Sequence, residues 1–156
     1  MAVQVGQPAP DFSLWDNEKK LTKLTDYRGK NVLLLFYPLA FTSVCTRELC
    51  ETRDSLTFYN DMNAQVFGIS IDSLYVQNEF KKSLNLNFPL LADFNKEVSI
   101  AYDSLFETFS NDMKGVTKRS SFVIDKEGII RHAEILPKSG DYPDFQAIQQ
   151  CLKELN

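Results

Sequence analysis

The sequence is short of residues that several kinds of protein depend on. It has one histidine, His132, and three cysteines, Cys45, Cys50 and Cys151, among 156 residues. An odd count of thiols makes no disulfide framework and fits a reducing compartment. Cys45 and Cys50 lack the second ligand pair that a structural zinc site needs, so no metal and no other cofactor is expected. No stretch approaches the roughly 20 apolar residues that span a bilayer. Met1-Ala2-Val3-Gln4-Val5-Gly6 has no charged start followed by an apolar signal region. The expected setting is therefore the cytoplasm, with no membrane partner. Lys and Arg number 17 against 21 Asp and Glu, a net charge of -4 without a block of one sign, which argues against a nucleic-acid partner. Internal repeats, linkers and low-complexity runs are also missing. With 44% hydrophobic residues for a core, one domain over residues 1–156 is expected.

What is present is organised around the residues from Val32 to Glu51. Val32-Leu33-Leu34-Leu35-Phe36 is continuously apolar, as a strand covered on both faces would be. Pro38 cannot donate to a sheet and should end it. Thr42 or Ser43 can then cap a helix free of Gly and Pro as far as Asn63, with Leu49, Leu56, Tyr59 and Met62 near helical spacing. Cys45 falls in its first turn. Unpaired N–H groups and the helix dipole favour an anion there, so the thiol is expected to be pushed toward thiolate, the nucleophilic form. Position alone also allows a small buried hydrophobe.

The remaining pattern is that of an α/β chain. Two extended segments, through Phe12-Ser13-Leu14 and Leu21-Thr22-Lys23-Leu24, form an N-terminal hairpin. Gln65 to Ile71 is a second β-rich run, and the strand-helix-strand order calls for a right-handed parallel crossover. Asp72 or Ser73 caps a helix over Leu74 to Leu84, with Val76, Phe80 and Leu84 facing the core. A short strand through Phe88-Pro89-Leu90-Leu91-Ala92 and a helix near Lys96 to Tyr102 follow. Ser104 to Lys118 has no clear assignment. Ser120 to Asp125 and Ile129 to Ile135 form an antiparallel hairpin around Gly128. The last helix follows Pro143 and ends at Leu155. The aromatic set Phe36, Tyr37 and Phe41 suits a pocket wall or a dimer surface.

Pro38, Thr42 and Cys45 spell P-x-x-x-T-x-x-C, flanked by Phe-Tyr-Pro-Leu-Ala-Phe-Thr, and this resembles the active-site signature of the peroxiredoxins. The resemblance implies a thiol peroxidase on a thioredoxin-like three-layer fold, a central mixed sheet flanked by helices with an N-terminal hairpin extension. It implies that Cys45 attacks the hydroperoxide substrate, Thr42 bonds it and Pro38 covers the sulfur. Lys118-Arg119-Ser120-Ser121-Phe122-Val123-Ile124-Asp125 matches the family's hairpin arginine, giving that role to Arg119. Glu48 matches a carboxylate that orients it. Cys-x4-Cys resembles the bacterioferritin comigratory protein branch and makes Cys50 the leading resolving residue. The Tyr-Pro-Leu-Ala-Phe-Thr flank is more similar to the one-cysteine alkyl hydroperoxide reductase E branch, in which an external thiol would do that work. The family also implies a thioredoxin- or glutaredoxin-like reductant and a homodimer. Cys151 has no extended tail to carry it and reads as packing, and His132 as an ordinary strand residue. Two rivals stay open. A thiol-disulfide exchanger wants Cys-x-x-Cys, where this chain has Glu48, and a redox-sensing interaction domain would use the same fold without peroxidase chemistry.

Overall fold

The computed structural model describes residues 3–156; Met1 and Ala2, with which the expected domain and the N-terminal stretch begin, lie outside the described residues. The apolar run forms β3 (Asn31–Phe36), in which all six residues are buried. Alternation sends Leu33 and Leu35 into one core and Val32, Leu34 and Phe36 into another on the opposite face. It pairs in parallel with β4 (Ala64–Ser70) and antiparallel with β6 (Ser120–Ile124). The N-terminal hairpin is β1 (Ser13–Asp16) and β2 (Leu21–Lys23). With β5 (Leu90–Ala92) and β7 (Ile130–Ile135), the described residues make a mixed sheet in the order β2-β1-β5-β4-β3-β6-β7. Gly128, at φ +86°, sits in the β6–β7 turn as expected.

Helices cover both faces. α1 (Ser43–Asp54), α2 (Leu56–Asp61), α3 (Leu74–Leu84) and α5 (Phe145–Glu154) pack on the face of Leu33 and Leu35. α4 (Glu97–Ala101) and the N-terminal segment through Phe12 cover the other. This is the thioredoxin-like layout that the resemblance implies. The segment 104–118 is an irregular antiparallel excursion held by bridges between Leu105 and Thr117 and between Thr108 and Lys114.

Three details differ from expectation. The helix expected to run to Asn63 breaks at Ser55, where Asp54-Ser55 is a weak helix-forming pair. Val76 is exposed, and the buried stripe of α3 runs through Gln77 and Phe80 instead. Gln77 is drawn in because its amide accepts from the Tyr37 hydroxyl and donates to Ser70 Oγ and Leu91 O, both at 3.0 Å. Phe36 and Tyr37 are sealed in opposite cores, so of the aromatic set only Phe41 reaches the surface.

Gly68 on β4 fills a notch that only hydrogen fits. A Cβ there would stand 2.7 Å from Leu90 Cδ2 and 3.3 Å from Tyr37 Cε1. Gly68→Ala is expected to cost about 1–3 kcal/mol of stability through overpacking, read as a lower urea midpoint; an unchanged midpoint would show that Leu90 gives way freely.

Candidate active site

Past Phe36 the chain turns through Tyr37-Pro38-Leu39-Ala40-Phe41-Thr42 into α1. Two hydrogen bonds fold this loop. Ala40 N–H donates to Asp72 Oδ2 at 2.8 Å, and the Thr42 hydroxyl donates to Leu39 O at 2.7 Å. Asp72, a candidate cap for α3, therefore serves this loop, while Ser73 does the capping. Between the two bonds Phe41 has φ +65°, a left-handed conformation rare for a bulky residue. Its exposed ring rests on Phe80, centroids 5.0 Å apart. Thr42 is the N-cap of α1 by backbone only: its hydroxyl donates to Leu39 O, and its oxygen accepts from no N–H of the first turn.

The bond from Thr46 N–H to Thr42 O at 2.9 Å closes the first turn of α1. The N–H groups ahead of it make the positive end of the helix, and Cys45, third residue of α1, lies in that first turn. The cation arrives from the neighbouring strand. Ser120 lies opposite Phe36 in the β3–β6 register, so Arg119 emerges beside the loop that leads to Cys45. Its Nη1 donates to Cys45 Sγ at 3.4 Å and to Glu48 Oε1 at 2.6 Å, and Nη2 donates to Ser139 O at 3.1 Å. Arg119 and Glu48 side chains are 2% and 0% exposed. Burial pushes the Glu48 carboxyl up to about 7, outweighing the attraction of Arg119, and Glu134 and Glu51 add repulsion. Burial opposes the charge on Arg119, but Glu48 and the sulfur overcome it and raise its pKa. Two buried polar atoms of the pair, Arg119 Nε and Glu48 Oε2, have no hydrogen-bond partner among the described residues.

Pro38, Thr42, Cys45 and Arg119 meet at a pocket of about 170 Å³, walled further by Phe109, Ser139 and Gly140. A water occupies about 30 Å³ of liquid, so a peroxide group fits with room for a small substituent. Ser139 works through its carbonyl and leaves no side-chain signature in sequence; Phe109 lies in the segment that had no assignment. A larger cavity of about 490 Å³, lined by Trp15, Tyr75 and Phe94, holds none of these reactive groups, so chemistry selects the smaller one.

The structure does not bring Cys50 to the pocket. It is half-buried, and α1 is unbroken from Ser43 to Asp54. Residues five apart on such a helix have Cα atoms about 9 Å apart, beyond the roughly 7 Å a disulfide spans. Cys151 packs against the core from α5, its thiol pKa raised by burial. His132 is half-buried with Ser121 Oγ at 3.4 Å, and burial lowers its pKa. Among the described residues no group of three or more His, Cys, Asp and Glu could hold a metal, and no helix is long and apolar enough to cross a membrane.

Residues 5–133 match the model of the AhpC/TSA family. The chain is 40% identical over 136 residues to alkyl hydroperoxide reductase E of Mycobacterium tuberculosis, covering 85% of this chain and 86% of the relative. It is 39% identical over 130 residues to peroxiredoxin Bcp of Bacillus subtilis, covering 82% of each. The mitochondrial thioredoxin-dependent peroxide reductase of Drosophila melanogaster is 37% identical, and 97% of this chain spans 65% of that longer relative. The crystal structure of peroxidoxin BcpB from Mycobacterium tuberculosis matches with a TM-score of 0.86 at 26% identity, covering 99% of both chains.

The upward shift of Glu48 sets a pH dependence. With a folded pKa of about 7 above the ordinary 4.5, the folded state holds this proton more tightly, so its contribution is complete below pH 4.5 and is lost as pH rises through 7. The loss amounts to at most about 3 kcal/mol. The urea midpoint should fall more steeply across that window in the wild type than in Glu48→Gln, which keeps the shape of the neutral acid. Equal slopes would remove Glu48 as the source.

Proposed function

The chain belongs to the AhpC/TSA family and is a peroxidase of the peroxiredoxin kind, and on that premise we propose that Cys45 is the sulfur that attacks the hydroperoxide. The observation that carries the assignment is the Arg119 guanidinium at 3.4 Å from Cys45 Sγ, inside a pocket of peroxide size. A cation that donates to sulfur favours its anionic form, and the rigid fork of a guanidinium can donate to a bound peroxide at the same time. The thiolate attacks one oxygen of ROOH, an S–O bond forms as the O–O bond breaks, and RO⁻ takes a proton and leaves as ROH. Cys45 is left as the sulfenic acid.

The other groups divide the remaining work. The Thr42 proton points to Leu39 O, so its oxygen is left to accept from the O–H of the peroxide. Pro38 walls the sulfur from bulk water. Glu48 is a positioning residue that holds Arg119 from behind. Cys50 then resolves the sulfenic acid: its thiol forms the S–S bond and water leaves, once the first turns of α1 have unwound. A thioredoxin- or glutaredoxin-like reductant in the cytoplasm returns both thiols, and the name of the Drosophila relative supports that class of donor. The unbroken helix across Cys45 and Cys50 favours a second reading, in which an external thiol takes the sulfenic acid directly. A homodimer belongs to the same proposal, supported by the exposed apolar ring of Phe41 beside the pocket loop.

Stopped-flow mixing with hydrogen peroxide should give a fast second-order step that Cys45→Ser abolishes; a rate like that of free cysteine would favour the non-peroxidatic rivals. Arg119→Met should slow that step and the iodoacetamide alkylation of Cys45 by on the order of 100-fold, and unchanged rates would take Arg119 out of the chemistry. Intact mass after one equivalent of peroxide should show loss of two hydrogens in the wild type but not in Cys50→Ser. A stable oxygen adduct on the wild type would instead select the external thiol.

A further inference from the structure

The segment between β7 and α5 walls the pocket with Ser139 and Gly140, and the same segment is fastened to α1 by Tyr142. The Tyr142 hydroxyl donates to Glu51 Oε1 at 2.8 Å, with Arg47 O at 3.3 Å. The guanidinium carbon of Arg47 stands 3.9 Å over the Tyr142 ring centroid. The ring is edge-on to Phe145, at 5.6 Å, where α5 begins, and it packs against the main core. Burial and the Glu51 carboxylate push the phenol pKa up, so the proton stays available for donation.

Arg47 and Glu51 are one helical turn apart, and their turn overlaps the stretch from Cys45 to Cys50. That stretch must unwind if the two sulfurs are to meet. Unwinding carries Arg47 O and the Glu51 carboxylate away from each other, and one phenol can no longer hold both. We propose that Tyr142 is a positioning residue of the resolving step, a latch that keeps α1 wound across Cys45 to Cys50 and so sets how fast the sulfenic acid is closed into a disulfide. This rests on the reading of Cys50 as the resolving residue. In that step the Cys50 thiolate attacks the Cys45 sulfur, the S–S bond forms, the S–O bond breaks, and the hydroxide departs with the proton of Cys50 as water. A second ROOH competes by oxidising the waiting sulfenic acid to sulfinic acid and leaving as ROH. The latch therefore tunes the partition between disulfide and overoxidation.

Tyr142→Phe removes only the hydroxyl, and Glu51→Ala removes its acceptor from the other side. Two measurements on the full chain test the latch: amide hydrogen exchange across residues 43–54 of the reduced protein, and intact mass against time after one equivalent and after excess hydrogen peroxide. Loss of one solvent-exposed hydrogen bond should speed exchange of α1 about three- to ten-fold, speed disulfide formation by a similar factor, and lower the sulfinic fraction. Exchange unchanged in both variants overturns the latch, whatever Cys50 does. Faster exchange without faster disulfide formation overturns its control of resolution. No disulfide in any protein, wild type included, overturns the role of Cys50 and this proposal with it.

Discussion

One guanidinium nitrogen, Nη1 of Arg119, donates to both the sulfur of Cys45 and the carboxylate of Glu48 out of contact with water. Much of the fold serves to bring these three groups together. The β3–β6 pairing delivers the arginine, the loop after β3 delivers the sulfur, and one turn of α1 delivers the acid. A buried ion pair is weak evidence of stability, since desolvating two charges offsets most of their attraction and a well-packed apolar pair of the same volume commonly does as well. The proposed role of Arg119 gives the pair another reason to be there, since its guanidinium also donates to the sulfur of Cys45.

The proposed chemistry sets the sulfur two requirements that pull against each other. For attack it must be held at the start of an ordered helix, beside a fixed cation and under Pro38. For resolution by Cys50 it must leave that helix, because five residues of α-helix hold the two thiols too far apart. The same ordering that organises the first reaction opposes the second. Contacts that bear on the winding of α1 therefore bear on chemistry even when they lie outside the pocket.

Much of this was legible in the sequence because the physics was local. A continuous apolar run, a proline after it and a cysteine in the first helical turn each carry their meaning in the residue itself. The hairpin around Gly128 and the capping of α3 by Ser73 are of the same kind. What stayed hidden depends on neighbours distant in the chain. Gln77 reads as a surface residue until Tyr37, Ser70 and Leu91 are brought around its amide, and Val76 loses its place in the core as a result. Ser139 contributes a carbonyl, which every residue has. Tyr142 and Glu51 are 91 positions apart, and only the folding of the segment ahead of α5 onto α1 makes them partners. Phe36 and Tyr37, expected on a pocket wall or a dimer surface, were claimed by the two cores because a fully buried strand gives its last residues no free face.

Phe41, with its left-handed backbone just ahead of α1, has one more consequence. A bulky residue in that region costs about 1 kcal/mol or more, and the ring stacked on Phe80 and the two loop bonds keep it there. The tension is returned when the loop lets go. The resting loop is thus held against a bias of roughly five-fold toward release, a cost carried by the very segment that anchors the start of α1.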